Sequence, residues 1–226
     1  MTWTMTKKLP RPALAAVTGI GAVLLAAVAP PAAVAAQPDK QPLFAFDTGE
    51  PITGAFSMLS RSDDAVTSKI RSSTTPGHAV TYWYVIFNLP ENCNTDACGE
   101  DDIFADGDPG QGFNFAQIEA ARISVVYGGD GDVVNAGGRV ALDGGLAEGE
   151  VPTGSVPVVV IGDPAHGALV PGPVTGLEDA QTAEIHIVLQ DHGAAQTDPD
   201  LLEQQLSGFQ TACNPDCTDV QFAVHK

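Results

Sequence analysis

The stretch AEIHIVLQDHG (183–193) gathers two histidines, a glutamate and an aspartate. Imidazole and carboxylate are the ligands that zinc and iron accept, and they move protons near neutral pH. Read as a strand, the segment points Ala183, Ile185, Ile187 and Leu189 one way, and Glu184, His186, Val188, Gln190 and His192 the other. The first side reads as core and the second as wet. His186 and His192 are separated by roughly 20 Å along an extended strand, so bonds of about 2 Å cannot place both on one ion. A different set is open to metal. If DVQFAVH (219–225) pairs antiparallel alongside with Val220, Phe222 and Val224 inward, Ile187 faces Phe222 and Glu184 faces His225. Glu184, His186 and His225 then make the two-histidine, one-carboxylate set of a metal-dependent enzyme. The competing reading is a Glu–His pair on a solvated face.

Two acidic loops suit a hard cation. GEDDIFADGDPGQG (99–112) holds Glu100, Asp101, Asp102, Asp106 and Asp108, and GGDGDVVNAGG (128–138) holds Asp130, Asp132 and Asn135. Oxygen ligands on glycine-rich loops fit calcium, the cofactor of a calcium-stabilised adhesion module, although the EF-hand spacing is absent. A solvated charged loop is the ordinary alternative. The chain has no G-x-S-x-G, H-E-x-x-H, P-loop or dinucleotide fingerprint, and no spacing ties Ser155 to a base. His78 and His166 sit beside glycines in expected turns, where exposure explains them. Tyr82, Trp83 and Tyr84 lie in a run apolar enough to read as core rather than as a sugar platform. No catalytic residue or cofactor is assigned from sequence.

The cysteines come as Cys93/Cys98 in CNTDAC and Cys213/Cys217 in CNPDC. Four cysteines allow three connectivities. An oxidising compartment favours two local disulfides, while a four-cysteine zinc site is the alternative that these spacings allow.

The elements that must position these groups are short strands punctuated by 24 Gly and 17 Pro. LFAFD (43–47), ITGAFSMLS (52–60), AVTSKIRSS (65–73), ARISVVYGG (120–129), GRVALDG (138–144) and VPVVVIG (156–162) read as strands, with 183–193 and 219–225 completing the set. AVTYWYVIFN (79–88) is apolar on both sides, as a strand buried on two faces should be. One helix is expected, capped by Asp198-Pro199, with Leu201, Leu202, Leu206 and Phe209 toward one side. The pattern predicts an all-β, single-domain antiparallel β-sandwich with one short helix near the C-terminus.

Lys7, Lys8 and Arg11 precede an apolar run, Ala13–Ala29, and small residues follow, which reads as a cleaved signal peptide over 1–36. Residues 37–42 are expected to be a short flexible lead-in to a β-sandwich domain at 43–226. The full chain has 10 Lys+Arg and 28 Asp+Glu. Removing the leader's three bases leaves seven against 28, a net −21. That charge argues against nucleic acid and anionic membranes as partners. The expectation is a secreted, extracellular protein that meets an extracellular ligand or surface.

YWYVIFNLPENC, the following CGEDDIF, AEIHIVLQDHG and the terminal CTDVQFAVH together resemble a family of exported bacterial proteins of unknown function. The resemblance spans most of the mature chain and implies export, with no catalytic residues to carry over. GALVPGPVTGLEDAQTAEIHIVL is also similar to the end of a CHRD-type extracellular β domain, without that module's histidine-containing central motif.

Overall fold

The computed structural model describes residues 37–95, 97–108, 111–153, 155, 175–208 and 212–226. The expected leader, the strand at 156–162, His166 and Phe209 lie outside the described residues. Among the described residues eight antiparallel strands form the body: β1 Asp39–Ala45, β2 Pro51–Arg61, β3 Ala65–Ser73, β4 His78–Phe87, β5 Ile123–Val133, β6 Arg139–Ala147, β7 Glu184–Ala194 and β8 Thr218–His225. They make one continuous sheet in the order β5-β4-β7-β8-β1-β2-β3-β6. The all-β expectation holds, and the two layers expected of a sandwich are opposite parts of this one curled sheet. Its end strands meet: the Asp143 amide of β6 donates to Asp130 Oδ2 of β5 at 2.9 Å. The sheet is thus nearly a barrel.

Alternation fixes which side chains fill it. On β3, Val66, Ser68, Ile70 and Ser72 are buried, whereas Thr67, Lys69 and Ser73 are exposed. Leu43, Leu59, Ile70, Leu142, Ile185 and Leu189 pack together inside, each no more than 1% exposed. Burying such a side chain stabilises the fold by roughly 1.5–3 kcal/mol, so this interior is the main source of stability. Tyr82 and Tyr84 also point inward, and their hydroxyls meet Ser68 Oγ at 3.0 and 2.7 Å. Burial, with the neighbouring Tyr84, pushes the Tyr82 phenol far above its ordinary range, so it stays a neutral donor to the Gly128 carbonyl.

β4 is buried on both faces, as expected, because a second apolar layer covers its outside. Trp83, Val85 and Phe87 pack there against Ile103, Phe104 and Ala121. This cap comes from the segment between β4 and β5, with two short helices, α1 Glu100–Ile103 and α2 Phe115–Ala120. Neither belongs to the sequence expectation, which holds one helix near the C-terminus. Asn114 caps α2 by accepting from the Gln117 amide.

Other boundaries shift. The lead-in expected at 37–42 is strand from Asp39 onward. The helix after Asp198-Pro199 forms as α3 Pro199–Gln205, with Asp198 accepting from Asp200 and Leu201 amides. Its expected leucine face is not its buried one: Leu201 is 40% exposed and Gln205 is fully buried. Gln205 is drawn inward because its amide serves backbone groups, donating to the His192 and Ala194 carbonyls and accepting from the Gln196 amide.

Both local disulfides are present, Cys93–Cys98 and Cys213–Cys217. Their sulfurs are consumed in these bonds, which replaces the four-cysteine zinc alternative. Loops this small are worth roughly 2 kcal/mol each in the chain-entropy model. Replacing Cys213 and Cys217 together with alanine is expected to lower the melting temperature by roughly 4–8 °C. A calorimetric melt that does not move would show that the bridge adds nothing to the folded state.

Candidate functional site

The described histidines all lie on strands, and none is free of partners. β7 and β8 pair with Ile185 opposite His225, His186 opposite Val224 and Ile187 opposite Ala223. This is one residue off the register assumed from sequence, and a one-residue slip exchanges the two faces of a strand. Gln221, Ala223 and His225 therefore point inward and Phe222 and Val224 outward and half-buried, while Val220, at a shift in the register, still packs against the interior. The set Glu184, His186 and His225 does not assemble. Glu184 and His186 remain on the outer face, 2.9 Å apart, with the His186 ring against Phe87 at 4.9 Å. His225 is on the other side of the sheet.

Its inward position creates an arrangement that the sequence concealed. His225 Nδ1 lies 2.7 Å from Asp39 Oδ2, and His225 Nε2 lies 2.7 Å from Ser57 Oγ. A carboxylate can only accept, so Nδ1–H donates to Asp39 and Nε2 accepts the Ser57 hydroxyl proton in the neutral ring. Burial lowers the His225 pKa below its ordinary value, Asp39 opposes this, and Arg61 and His186 add to it. Carboxylate, imidazole and hydroxyl in this order match the groups of a hydrolase. Ser57 and His225 are nevertheless 0% exposed, with Ser57 inside the barrel among packed side chains. A nucleophile must touch its substrate. This trio is a buried polar clasp between β1, β2 and β8.

The remaining imidazoles act similarly. His192, expected on a wet face, is fully buried. Its Nε2 is 2.8 Å from Thr81 Oγ1, and its Nδ1 is 3.3 Å from the disulfide sulfur of Cys217. Burial of Glu184, Gln190 and His192 overturns the wet-face reading of β7. His78 holds the Asp191 carboxylate at 2.9 and 3.0 Å. The close groups His192/Cys213/Cys217 and Cys93/Cys98/Asp102 are the metal-spaced sets among the described residues. Both depend on sulfurs already joined as disulfides, which are not thiolate ligands.

The acidic loops organise backbone instead of converging. Asp102 is fully buried and accepts from the amides of Asn94 and Gly99 and the side chain of Gln117. Asn135 accepts from Gly137 and Arg139 amides, and Asp130 from Asp143. Among the described residues, Glu100, Asp101, Asp102, Asp106 and Asp108 contribute no three carboxylates close enough to share an ion.

What stays accessible is the outer face opposite the cap. Phe44 and Phe222 face each other across β1 and β8, their rings stacked at 5.5 Å, and Phe46 joins them at 5.0 Å. Phe46 is 37% exposed. Two rows continue across the sheet, Pro42–Phe56–Arg71–Ala141 and Lys40–Met58–Lys69–Asp143. Lys40 Nζ sits 3.9 Å over the Phe56 ring, and Arg71 pairs with Asp143 at 3.5 Å. At one end lies an open cleft of about 510 Å³ lined by Thr53, Arg71, Ser73, Asp132 and Arg139, among others. Of these residues, only Asp132 stood out in the sequence, as a candidate cation ligand. The signal that could have found them is the concentration of scarce cations on β3 and its neighbours.

No protein-family model, curated protein or solved structure matches the chain.

Proposed function

We propose that this protein is an exported, extracellular binding module that engages its ligand through the outer face of β1, β2, β3 and β8. The observation that carries the reading is the contrast between its two surfaces. The reactive groups inside are enclosed and bonded to one another, while a half-exposed aromatic row lies on the outer face. An apolar and aromatic strip flanked by charge on a folded protein is the ordinary mark of an interaction surface. Two disulfides favour an oxidising compartment, and the leader-like sequence at 1–36 points the same way. No described helix is long and apolar enough to cross a membrane.

Co-sedimentation with insoluble cell-surface polymers, including peptidoglycan, cellulose and chitin, tests the reading. Retention on at least one is expected, falling at least fivefold when Phe46 and Phe222 are both changed to serine with the melt checked separately. Absence of retention on every polymer would remove the proposal. So would ester or peptide hydrolysis by the wild type that Ser57→Ala abolishes, which would make the buried clasp an active site.

A further inference from the structure

The open face carries charge of the opposite sign to the rest of the chain. Beyond residue 36 the bases are Lys40, Arg61, Lys69, Arg71, Arg122, Arg139 and Lys226, against 28 acids in the whole sequence. Lys40, Lys69, Arg71 and Arg139 stand together on the outer face of β1, β3 and β6. The acids beside them are Asp143, paired with Arg71, Asp130, which accepts from the Asp143 amide, and Asp132 at the cleft, so the four cations outnumber them. We infer that the ligand of this face is an acidic polysaccharide, a chain of sugars bearing carboxylate or sulfate groups. This rests on the binding-module reading above and names its ligand.

Three features support that chemistry. Lys40 and Lys69 flank Met58 in one cross-strand row, about 10 Å apart at the usual strand spacing, and Lys69 and Arg71 stand about 7 Å apart along β3. A polymer with an acid on each repeat offers charges at comparable intervals, so one chain can meet several cations. Arginine binds carboxylate and sulfate through two parallel hydrogen bonds, and the cleft places Arg71 and Arg139 around a space that a sugar unit can enter. Phe44, Phe222 and Phe56 are half-buried on this face, an apolar surface against which the C–H groups of sugars can pack beside the cations. The acidic remainder of the protein does not cancel this attraction. At physiological ionic strength, charges beyond about 8 Å are largely screened.

The test titrates the purified, disulfide-intact protein with polygalacturonate, dextran sulfate, neutral dextran and single-stranded DNA by calorimetry. Binding to polygalacturonate or dextran sulfate is expected, weakening as salt rises, with none to dextran. Lys69→Glu combined with Arg139→Glu is expected to weaken it at least tenfold while leaving the melt near that of the wild type. If that pair also unfolds the protein, Lys69→Gln alone, at an exposed position, is expected to weaken binding about twofold to fivefold. The inference fails if neither acidic polymer binds or if both variants bind as tightly as the wild type. It also fails if DNA binds more tightly through the same residues, or if sedimentation shows self-association by this face that polygalacturonate does not displace. Retention of neutral polymers that survives charge reversal would overturn the acidic ligand and leave the binding module standing. No retention of any polymer would remove both.

Discussion

His225→Ala is expected to destabilise the protein by about 3 kcal/mol, seen as a lower urea midpoint with an unchanged slope. Two losses add. The fully buried ring leaves a cavity, and the buried Ser57 hydroxyl loses the acceptor it held at 2.7 Å. Asp39 loses this partner too, but it still accepts from Gln41, and its side chain is 35% exposed and can turn to water. Position amplifies the effect. β1 and β8 share the registered pairs Phe44–Phe222 and Ala45–Gln221 and the Phe46 amide bond to the Val220 carbonyl, all toward one end, and the Asp39–His225 bond ties the seam at the other. His225→Phe refills most of the volume without the hydrogen bonds and should recover only part of the loss. An alanine variant within about 1 kcal/mol of the wild type would show that the clasp does not hold this seam.

The same residue sets a pH dependence. Burial lowers its folded pKa below the ordinary 6.5, while Asp39 on β1 opposes this and Arg61 on β2 and His186 on β7 reinforce it. As pH falls through 6.5 the unfolded chain takes up a proton that the folded chain still refuses. Stability is therefore full above about 6.5 and declines as pH drops toward the folded pKa. Wild type should lose more stability than His225→Phe between about pH 7 and 5, and equal slopes would assign the dependence elsewhere.

Sequence patterning was informative wherever one face of a strand was plainly apolar. β3 spans the expected 65–73, with Val66 and Ile70 inward and Lys69 outward. Ile185, Ile187 and Leu189 are wholly buried, as the alternation of β7 indicated. The pattern misled on β8, whose more apolar face points outward. Its inner residues Gln221 and His225 are satisfied by Ser72, Ser73, Ser57 and Asp39, so the barrel interior there is a bonded polar row. Those partners are distant in sequence, and only strand register brings them close. The assumed register thus failed where the assumption of an apolar interior failed. The basic face was hidden for a related reason: Lys40, Lys69 and Arg139 look like scattered surface charges until β1, β2, β3 and β6 are laid side by side.

Gly144→Ala is expected to cost roughly 3 kcal/mol or more, near the upper end for overpacking, because the added methyl has nowhere to go. A Cβ at Gly144 would stand 1.9 Å from the Tyr82 hydroxyl and 2.2 Å from the Gly128 carbonyl oxygen. One at Gly128 would stand 2.1 Å from the Tyr82 ring. The two glycines sit where β5 and β6 come together, and Tyr82 fills the space that their missing side chains leave. The obstacles differ, so a double-mutant cycle can separate them. Tyr82→Ala removes what Gly128→Ala strikes, so that pair should be much less damaging than the sum of its parts. It should rescue Gly144→Ala only partly, because the Gly128 carbonyl remains in the way. A Gly144→Ala protein as stable as the wild type would mean that β5 and β6 do not approach as closely as described. That result would reach the binding face as well. Lys69, Arg71 and Arg139 share a surface because β3 and β6 pair along their whole length, and the closure at Gly144 holds β6 against the rest of the barrel. Acidic-polysaccharide binding should therefore weaken in a Gly144→Ala protein that still folds, although no residue contacting the ligand has changed.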